Sequence, residues 1–317
     1  MSFKKILGQD KAINTLRGFI AAGRIPQAMI FHGPAGVGKA MAALEFAKTL
    51  NCLDAASNKI FDNCGLCQNC KHIDAKTHPD IIFADFAYQA MLRKEEVEKQ
   101  QNIRIETIRA LTAASQQKAV FAKWKVYIID SAEKLITGAA NALLKYIEEP
   151  PPNTIWILIS SKKEAMLSTI KSRCQPVAFA PLSKDIITTI LKDNFVEADL
   201  AEQAAAISQG SSAKAALAAE VLGDFASLPS GAAFAAGAAM SLPRVAAQAR
   251  AQVASVLDML SVMAYEQWVK EASEREANKN LLTKLVFYKR ALLSNVSPYL
   301  IMEAALMAAD DCKINFK

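Results

Sequence analysis

The sequence has 317 residues, 52% of them hydrophobic and 21% charged, with a formal net charge of +6. A chain of this length exceeds one ordinary core, so two or three domains are expected. No apolar run reaches about 18 residues and the first residues lack the apolar core of a signal peptide, which predicts a cytoplasmic protein without a membrane span. The mild basic excess is compatible with a nucleic-acid or acidic protein partner.

The first 180 residues alternate between helical and strand patterns. Apolar runs predict strands at 28–32, 80–85, 125–130, 154–160 and 176–180. Helical periods lie before and between these runs, for example at 10–23, and the highly charged stretch 87–102 is predicted to be exposed. Nearly continuous apolar strands that alternate with helices are typical of a parallel sheet covered on both faces.

No convincing strand follows residue 180. Residues 184–221 read as short helices, and residues 222–245 contain several glycines and prolines typical of a junction. Long helical periodicity then dominates from 246 to 317. The sequence therefore predicts an α/β half followed by a helical half.

The stretch GPAGVGKA, from Gly33 to Ala40, follows the first strand and opens a helix. It matches a phosphate-binding loop at Gly33, Gly36, Gly38 and Lys39, where backbone N–H groups and the lysine would face the phosphates. The last position normally carries a hydroxyl that binds magnesium, and Ala40 removes it. The alternative is a glycine turn that merely joins strand to helix.

An acidic residue at the end of another apolar strand would complete a nucleotide site. Asp130 ends the strand KVYIID and is the candidate for the magnesium shell. A glutamate at the next position would orient the attacking water, but that position is Ser131, which cannot act as a general base without help. The losses at Ala40 and Ser131 together indicate that nucleotide binds passively, as ATP or ADP, and is not turned over efficiently.

Four cysteines, Cys52, Cys64, Cys67 and Cys70, fall within a short insert at about 51–72. Four thiolates match a closed tetrahedral zinc site, and a zinc ion would hold together an insert too small to bury a core. His72 and His78 are spare ligands nearby. A redox pair at Cys64 and Cys67, an iron–sulfur cluster and a DNA-reading finger remain alternatives.

The residues, taken in order, resemble the AAA+ clamp-loader subunits of bacterial DNA polymerase III. The resemblance covers roughly residues 3–180. It rests on ILGQDKAINTL, GRIPQAMIFHGPAGVGK, CGLCQNCKHI, HPD, KVYIID, NALLKYIEEPPPNT and SRC. It implies an AAA+ core at 1–180 with a zinc module, a helical lid at 181–221 and a helical collar at 222–317.

The family contains an ATP-hydrolysing motor, gamma/tau, and a stator, delta-prime, whose nucleotide site is commonly degenerate. Ala40 and Ser131 resemble the stator, as does Ala213 in GSSAKAAL, where the motor would carry a phosphate-sensing arginine. The resemblance implies that Arg173, in SRC, is an arginine finger given in trans to a neighbouring ATPase. A surface arginine that caps a helix is the alternative.

The resemblance also implies that Gln9 lies near the adenine and that Ser160 or Ser161 is a polar sensor. The implied partners are gamma/tau and delta subunits in a hetero-pentamer, the sliding clamp and primed DNA. The collar leucines Leu281, Leu282 and Leu285, with Val286, are either subunit contacts or internal core. The expected function is a weakly active or inactive scaffold within the polymerase holoenzyme. The alternatives are a gamma-type ATPase and a phosphotransferase with a zinc insert.

Overall fold

The computed structural model describes residues 3–226, 232–243, 246–270, 275–294 and 296–312. The chain divides into two compact units, Met1–Pro181 and Leu182–Lys317. The first unit contains every strand of the described part of the chain, and the second is helical there. A parallel α/β half followed by a helical half is therefore confirmed.

The first unit is built on a five-stranded parallel sheet. Its strands are β1 (Ala28–His32), β2 (Ile81–Ala84), β3 (Lys125–Ile129), β4 (Thr154–Ser160) and β5 (Gln175–Ala178). Their order is β2-β3-β4-β1-β5, and each neighbouring pair is parallel. Because β4 lies between β1 and β3, the segments that follow these three strands meet at one edge of the sheet.

The central strands are buried on both faces, which explains their unbroken apolar sequence. On one face, Tyr127 stacks on Trp156 with ring centroids 4.7 Å apart, within a core that includes residues of the helices on that side. Side chains of the opposite parity, such as Phe31 and Ile157, are equally buried, and the helix after β1 contacts β1 and β4.

Eight helices are described in the first unit, with short 3₁₀ turns between some of them. They are α1 (Asp10–Ala21), α2 (Lys39–Asn51), α3 (Ala55–Lys59), α4 (Gln68–Asp74), α5 (Phe86–Arg93), α6 (Ile105–Gln116), α7 (Thr137–Glu148) and α8 (Ser168–Lys171). The prediction that 87–102 is exposed is confirmed for most of the stretch, with Gln89, Ala90 and Gln100 as buried exceptions. Asp85 caps α5 by accepting the N–H of Tyr88 at 2.8 Å, and Gln89 is buried because its amide bonds to Gln100 and Thr107.

The second unit is described as seven helices. They are α9 (Lys184–Asp193), α10 (Ala198–Ile207), α11 (Ser212–Ala226), α12 (Ala232–Met240), α13 (Ala246–Lys270), α14 (Arg275–Leu293) and α15 (Pro298–Asp311). The predicted junction at 222–245 is partly occupied by α11 and α12, and residues 227–231 and 244–245 lie outside the described residues. The separation into a lid and a collar stays a prediction.

For some apolar residues of α14, burial decides whether they are subunit contacts or internal core. Leu281 and Leu285 are almost fully buried, so they belong to the core of their own unit. Val286 is 52% exposed and remains accessible for a subunit contact.

Candidate functional site

The glycine loop joins β1 to α2 at the carboxyl edge of the sheet, as the sequence predicts. Gly33 has φ +147°, and a Cβ atom there would lie 2.2 Å from the carbonyl oxygen of Phe179. Gly38 has φ +94° and begins α2 in the left-handed region. The close approach of the Phe179 carbonyl therefore requires glycine at position 33. At position 38, glycine is favoured by the left-handed backbone conformation.

Lys39 is turned back onto its own loop. Its ammonium group donates to the carbonyl oxygen of Gly33 at 2.7 Å and to that of Pro34. Burial lowers the pKa of Lys39, while the nearby Asp130 and Glu133 carboxylates oppose that effect. In this arrangement the lysine stabilises the loop, and it would have to leave both carbonyls to reach a phosphate.

A cleft of about 260 Å³ lies beside the loop. Its lining includes Gly36, Gly38, Lys39, Ala40, Asp130, Ser131, Glu133 and Ser161. Burial raises the pKa of the Asp130 carboxyl, and the neighbouring acids Asp85 and Glu133 add to the rise. The structure thus brings the loop, Asp130 and the two altered positions, Ala40 and Ser131, to one place.

Glu133 is the acidic residue that the sequence reasoning missed. Its Oε1 accepts the hydroxyl of Ser161 at 2.6 Å, across from the end of β4. Burial opposes ionisation of Glu133, but hydrogen bonds, led by that of Ser161, leave its pKa lowered. Its Oε2 is buried and has no hydrogen-bond partner among the residues described. A carboxylate three positions after Asp130 was the only sequence signal.

Gln9 does not line this cleft. Its side-chain amide donates to the carbonyl of Ala180 at 2.7 Å and accepts the N–H of Ala180 at 3.0 Å. This pair of bonds ties the segment before α1 to the segment after β5. The adenine role of Gln9 therefore stays a prediction.

The four cysteines of the insert lie together. Their sulfur atoms are all within 4.8 Å of one another, and Cys52 Sγ lies 3.6 Å from Cys64 Sγ. Cys52 follows α2, Cys64 lies in a loop, Cys67 precedes α4 and Cys70 is inside it. A tetrahedral zinc–thiolate site with bonds of about 2.3 Å separates its sulfurs by roughly 3.8 Å. The donor set and its spacing therefore fit one zinc ion.

Backbone donors surround the sulfur of Cys64. The N–H groups of Leu66 and Cys67 point to this sulfur at 3.4 and 3.2 Å. Burial alone would raise the pKa of the Cys64 thiol, but these donors and the neighbouring thiols lower it to about 7. Gly65, at φ +68°, allows the turn that aims both donors. A thiolate is thus favoured at this sulfur, as metal binding requires.

The insert is also held to α2 by a polar network that is buried except at Asp74. Lys48 pairs with Glu45 at 2.5 Å and with Asp74 of α4 at 2.7 Å. Glu45 in turn accepts the side-chain amide of Asn63 at 3.0 Å. His72 and His78, the spare ligands of the sequence analysis, are not in the sulfur cluster; the Nδ1 atom of His72 lies 3.2 Å from Thr77 Oγ1, and that of His78 accepts the N–H of Asp80 at 3.1 Å.

Arg173 follows α8 in the Ser-Arg-Cys segment. Its Nη1 donates to the carbonyl of Thr169 at 3.1 Å, and its Nε donates to Glu148 at the end of α7. The side chain is 41% exposed. The helix-capping alternative is therefore present in the structure, and the exposed outer edge leaves room for a second acceptor.

Comparison with known proteins shows which family this chain belongs to. The model of the family described as DNA polymerase III, delta subunit, matches residues 8–183, more than half of the chain. The chain belongs to this family. The matched segment contains the glycine loop, the four cysteines, Asp130 and Arg173.

Two kinds of relative are among the proteins that match this chain. The DNA polymerase III subunit delta' of Pseudomonas aeruginosa is 37% identical over 188 residues, 58% of this chain and 53% of the relative. The DNA polymerase III subunit tau of Bacillus subtilis is 32% identical over 185 residues, 58% of this chain and 30% of the relative. The matches thus span about half or less of these relatives.

A solved structure agrees in fold. The DNA polymerase III gamma subunit-related protein of Thermotoga maritima superposes with a TM-score of 0.56 at 16% identity, over 95% of this chain and 99% of that protein. This likeness shows the fold and nothing finer. Within the residues described, no helix of this polymerase-family chain is long and apolar enough to cross a bilayer.

Proposed function

We propose that this chain is the stator, or delta-prime-type, subunit of a DNA polymerase III clamp loader. In this role it helps the complex place the sliding clamp on primed DNA, with little or no ATP hydrolysis of its own. The observation that carries the proposal is the cleft in which Ala40 and Ser131 stand together beside Lys39 and Asp130.

Both changes remove chemistry that hydrolysis needs. The methyl group of Ala40 cannot bind magnesium, and Ser131 cannot accept a proton from the attacking water as a carboxylate would. Lys39 is bonded to two loop carbonyls. Nucleotide binding, as ATP or ADP at Gly33, Gly36, Gly38 and Lys39, would thus compete with bonds that the loop already makes. Passive occupancy fits this cleft better than turnover does.

The cysteine cluster supports a structural zinc as part of this proposal. Cys52, Cys64, Cys67 and Cys70 would fill all four positions of a tetrahedral ion, which leaves none for water. A closed site of this kind supplies cross-linking and no Lewis-acid chemistry. Zinc would complete the attachment of the insert to α2 that Lys48 and Asn63 begin.

The chemistry that this chain contributes would lie at Arg173. A guanidinium is always charged and can form two parallel bonds to phosphate oxygens. Arg173 is partly exposed on the surface of the first unit and is proposed to serve ATP bound by a neighbouring gamma/tau subunit. The second unit is proposed to supply a lid at 181–221 and a collar at 222–317, in a cytoplasmic hetero-pentamer that includes delta.

A gamma-type ATPase is the second candidate. Two observations favour it: tau is among the relatives, and the cleft holds a further carboxylate, Glu133, near Asp130. Glu133 is engaged with Ser161, so it would first have to give up that bond to act on water.

Nucleotide binding and turnover by the isolated chain separate the two candidates. ATP and ADP are titrated with and without magnesium, and phosphate release is followed at saturating ATP. The stator predicts weak binding that magnesium changes little, and negligible release. Robust magnesium-dependent hydrolysis would instead establish the gamma-type ATPase.

A further inference from the structure

The guanidinium of Arg173 is held along one edge and open along the other. Its Nε donates to Glu148 Oε1, and its Nη1 donates to Thr169 O at 3.1 Å and Ser172 Oγ at 3.3 Å. Its Nη2 has no acceptor among the residues that the structure describes. The planar group is therefore fixed in orientation while its outer N–H bonds remain available to a phosphate.

Helix stability does not explain a carboxylate at Glu148. Glu148 is the last residue of α7, where the negative end of the helix dipole disfavours a carboxylate. The ion pair with Arg173 is exposed, with side-chain accessibilities of 41% and 44%. Water screens such a pair, so it adds little to the stability of the fold.

We propose that Glu148 is a positioning residue for Arg173. The inference rests on the proposed trans-acting role of Arg173. By accepting from Nε, the carboxylate fixes the plane of the guanidinium before the neighbouring subunit arrives, and it does not itself touch the nucleotide. Without this carboxylate the arginine samples other rotamers. Part of the transition-state stabilisation is then lost, because the guanidinium must face the negative charge on the phosphate in a fixed geometry.

The test uses the chain assembled with its gamma/tau and delta partners, at equal amounts of intact complex. The kcat and KM for ATP are measured for Glu148→Gln, for Arg173→Ala and for the double variant. Glu149→Gln is the matched control, since Glu149 is the next residue, is exposed and makes no bond to Arg173. Glu148→Asp retains the charge on a shorter side chain.

Glu148→Gln is expected to lower kcat about three- to tenfold with KM nearly unchanged, because the interaction acts in the transition state. Glu148→Asp should fall between Glu148→Gln and the unsubstituted chain, and Glu149→Gln should have no effect. The double variant should be no slower than Arg173→Ala alone, since both changes act through one guanidinium.

Two failures are distinguishable. If Arg173→Ala leaves kcat unchanged, the trans-acting role of Arg173 is refuted, and the role of Glu148 with it. If Arg173→Ala slows turnover but both Glu148 variants match Glu149→Gln, only the positioning role is refuted. Additive losses in the double variant would also overturn it. A merely structural role would lower the unfolding temperature of Glu148→Gln and spare kcat.

Discussion

The contact between Gly33 and Phe179 allows a prediction whose size follows from the structure. In Gly33→Ala the new Cβ would lie 2.2 Å from the carbonyl oxygen of Phe179 and 3.0 Å from its carbonyl carbon. Both neighbours are backbone atoms, so relief requires the segment after β5 to move away by about 1 Å, because non-bonded atoms rest at roughly 3.5 Å. That movement pulls on the bond between Phe179 N and His32 O, now 2.8 Å.

The cost is the sum of three effects. Overpacking costs about 1–3 kcal/mol. An alanine held at φ +147° adds about 1–3 kcal/mol of strain, and a weakened backbone hydrogen bond adds about 0.5–1.5 kcal/mol. Because partial relaxation lowers the sum, we expect Gly33→Ala to reduce the free energy of unfolding of the first unit by about 2–5 kcal/mol.

Gly38→Ala is the matched control in the same loop. It also forces a positive φ, +94°, but its Cβ would meet Ile6 Cγ2 at 3.6 Å, an ordinary contact. Only the strain of about 1–3 kcal/mol remains. Urea unfolding of the full-length variants measures the difference by tryptophan fluorescence, with Trp268→Phe in every chain so that Trp124 and Trp156 report on the first unit. Equal destabilisation of the two variants would refute the argument from the Phe179 contact.

Further predictions concern the metal, the cleft and a buried acid. Freshly purified, reduced protein should contain about one zinc per chain; Cys67→Ser should lose the metal and unfold at lower temperature, whereas Cys312→Ser should keep it, and metal analysis decides. Ala40→Thr combined with Ser131→Glu should raise magnesium-dependent phosphate release by the isolated chain at least tenfold; no gain would show that other residues limit turnover. Asp80 accepts backbone N–H groups of the 120–122 loop, which outweigh its burial and lower its pKa. Its folded pKa therefore lies below the unfolded value, so this stabilisation is present above about pH 4 and is lost as pH falls through the folded pKa. Asp80→Asn should cost about 1–3 kcal/mol at pH 7, with a smaller difference from the unsubstituted chain in acid unfolding.

Sequence reasoning was most successful where the signal is local. The strands β1 and β4 have the predicted bounds, because a strand buried on both faces is a continuous apolar run. The short spacing of the four cysteines predicted that they lie together, and their sulfur atoms form one cluster. The helix α5 was missed because it has only eight residues and runs directly into a charged segment, and Gln89 is buried through partners more than ten residues away.

The sequence by itself determined the parallel α/β half, the helical half, the glycine loop with its missing hydroxyl and the cysteine cluster. Tertiary structure alone decided how the polar groups are used. Lys39 closes on its own loop, Gln9 bonds to Ala180 across 171 residues, and Glu148 meets Arg173 across 25. The physical reason is that periodicity and spacing report which side chains are apolar or can ligate, whereas a hydrogen bond needs both partners within about 3 Å, and distant partners are brought together only by the fold.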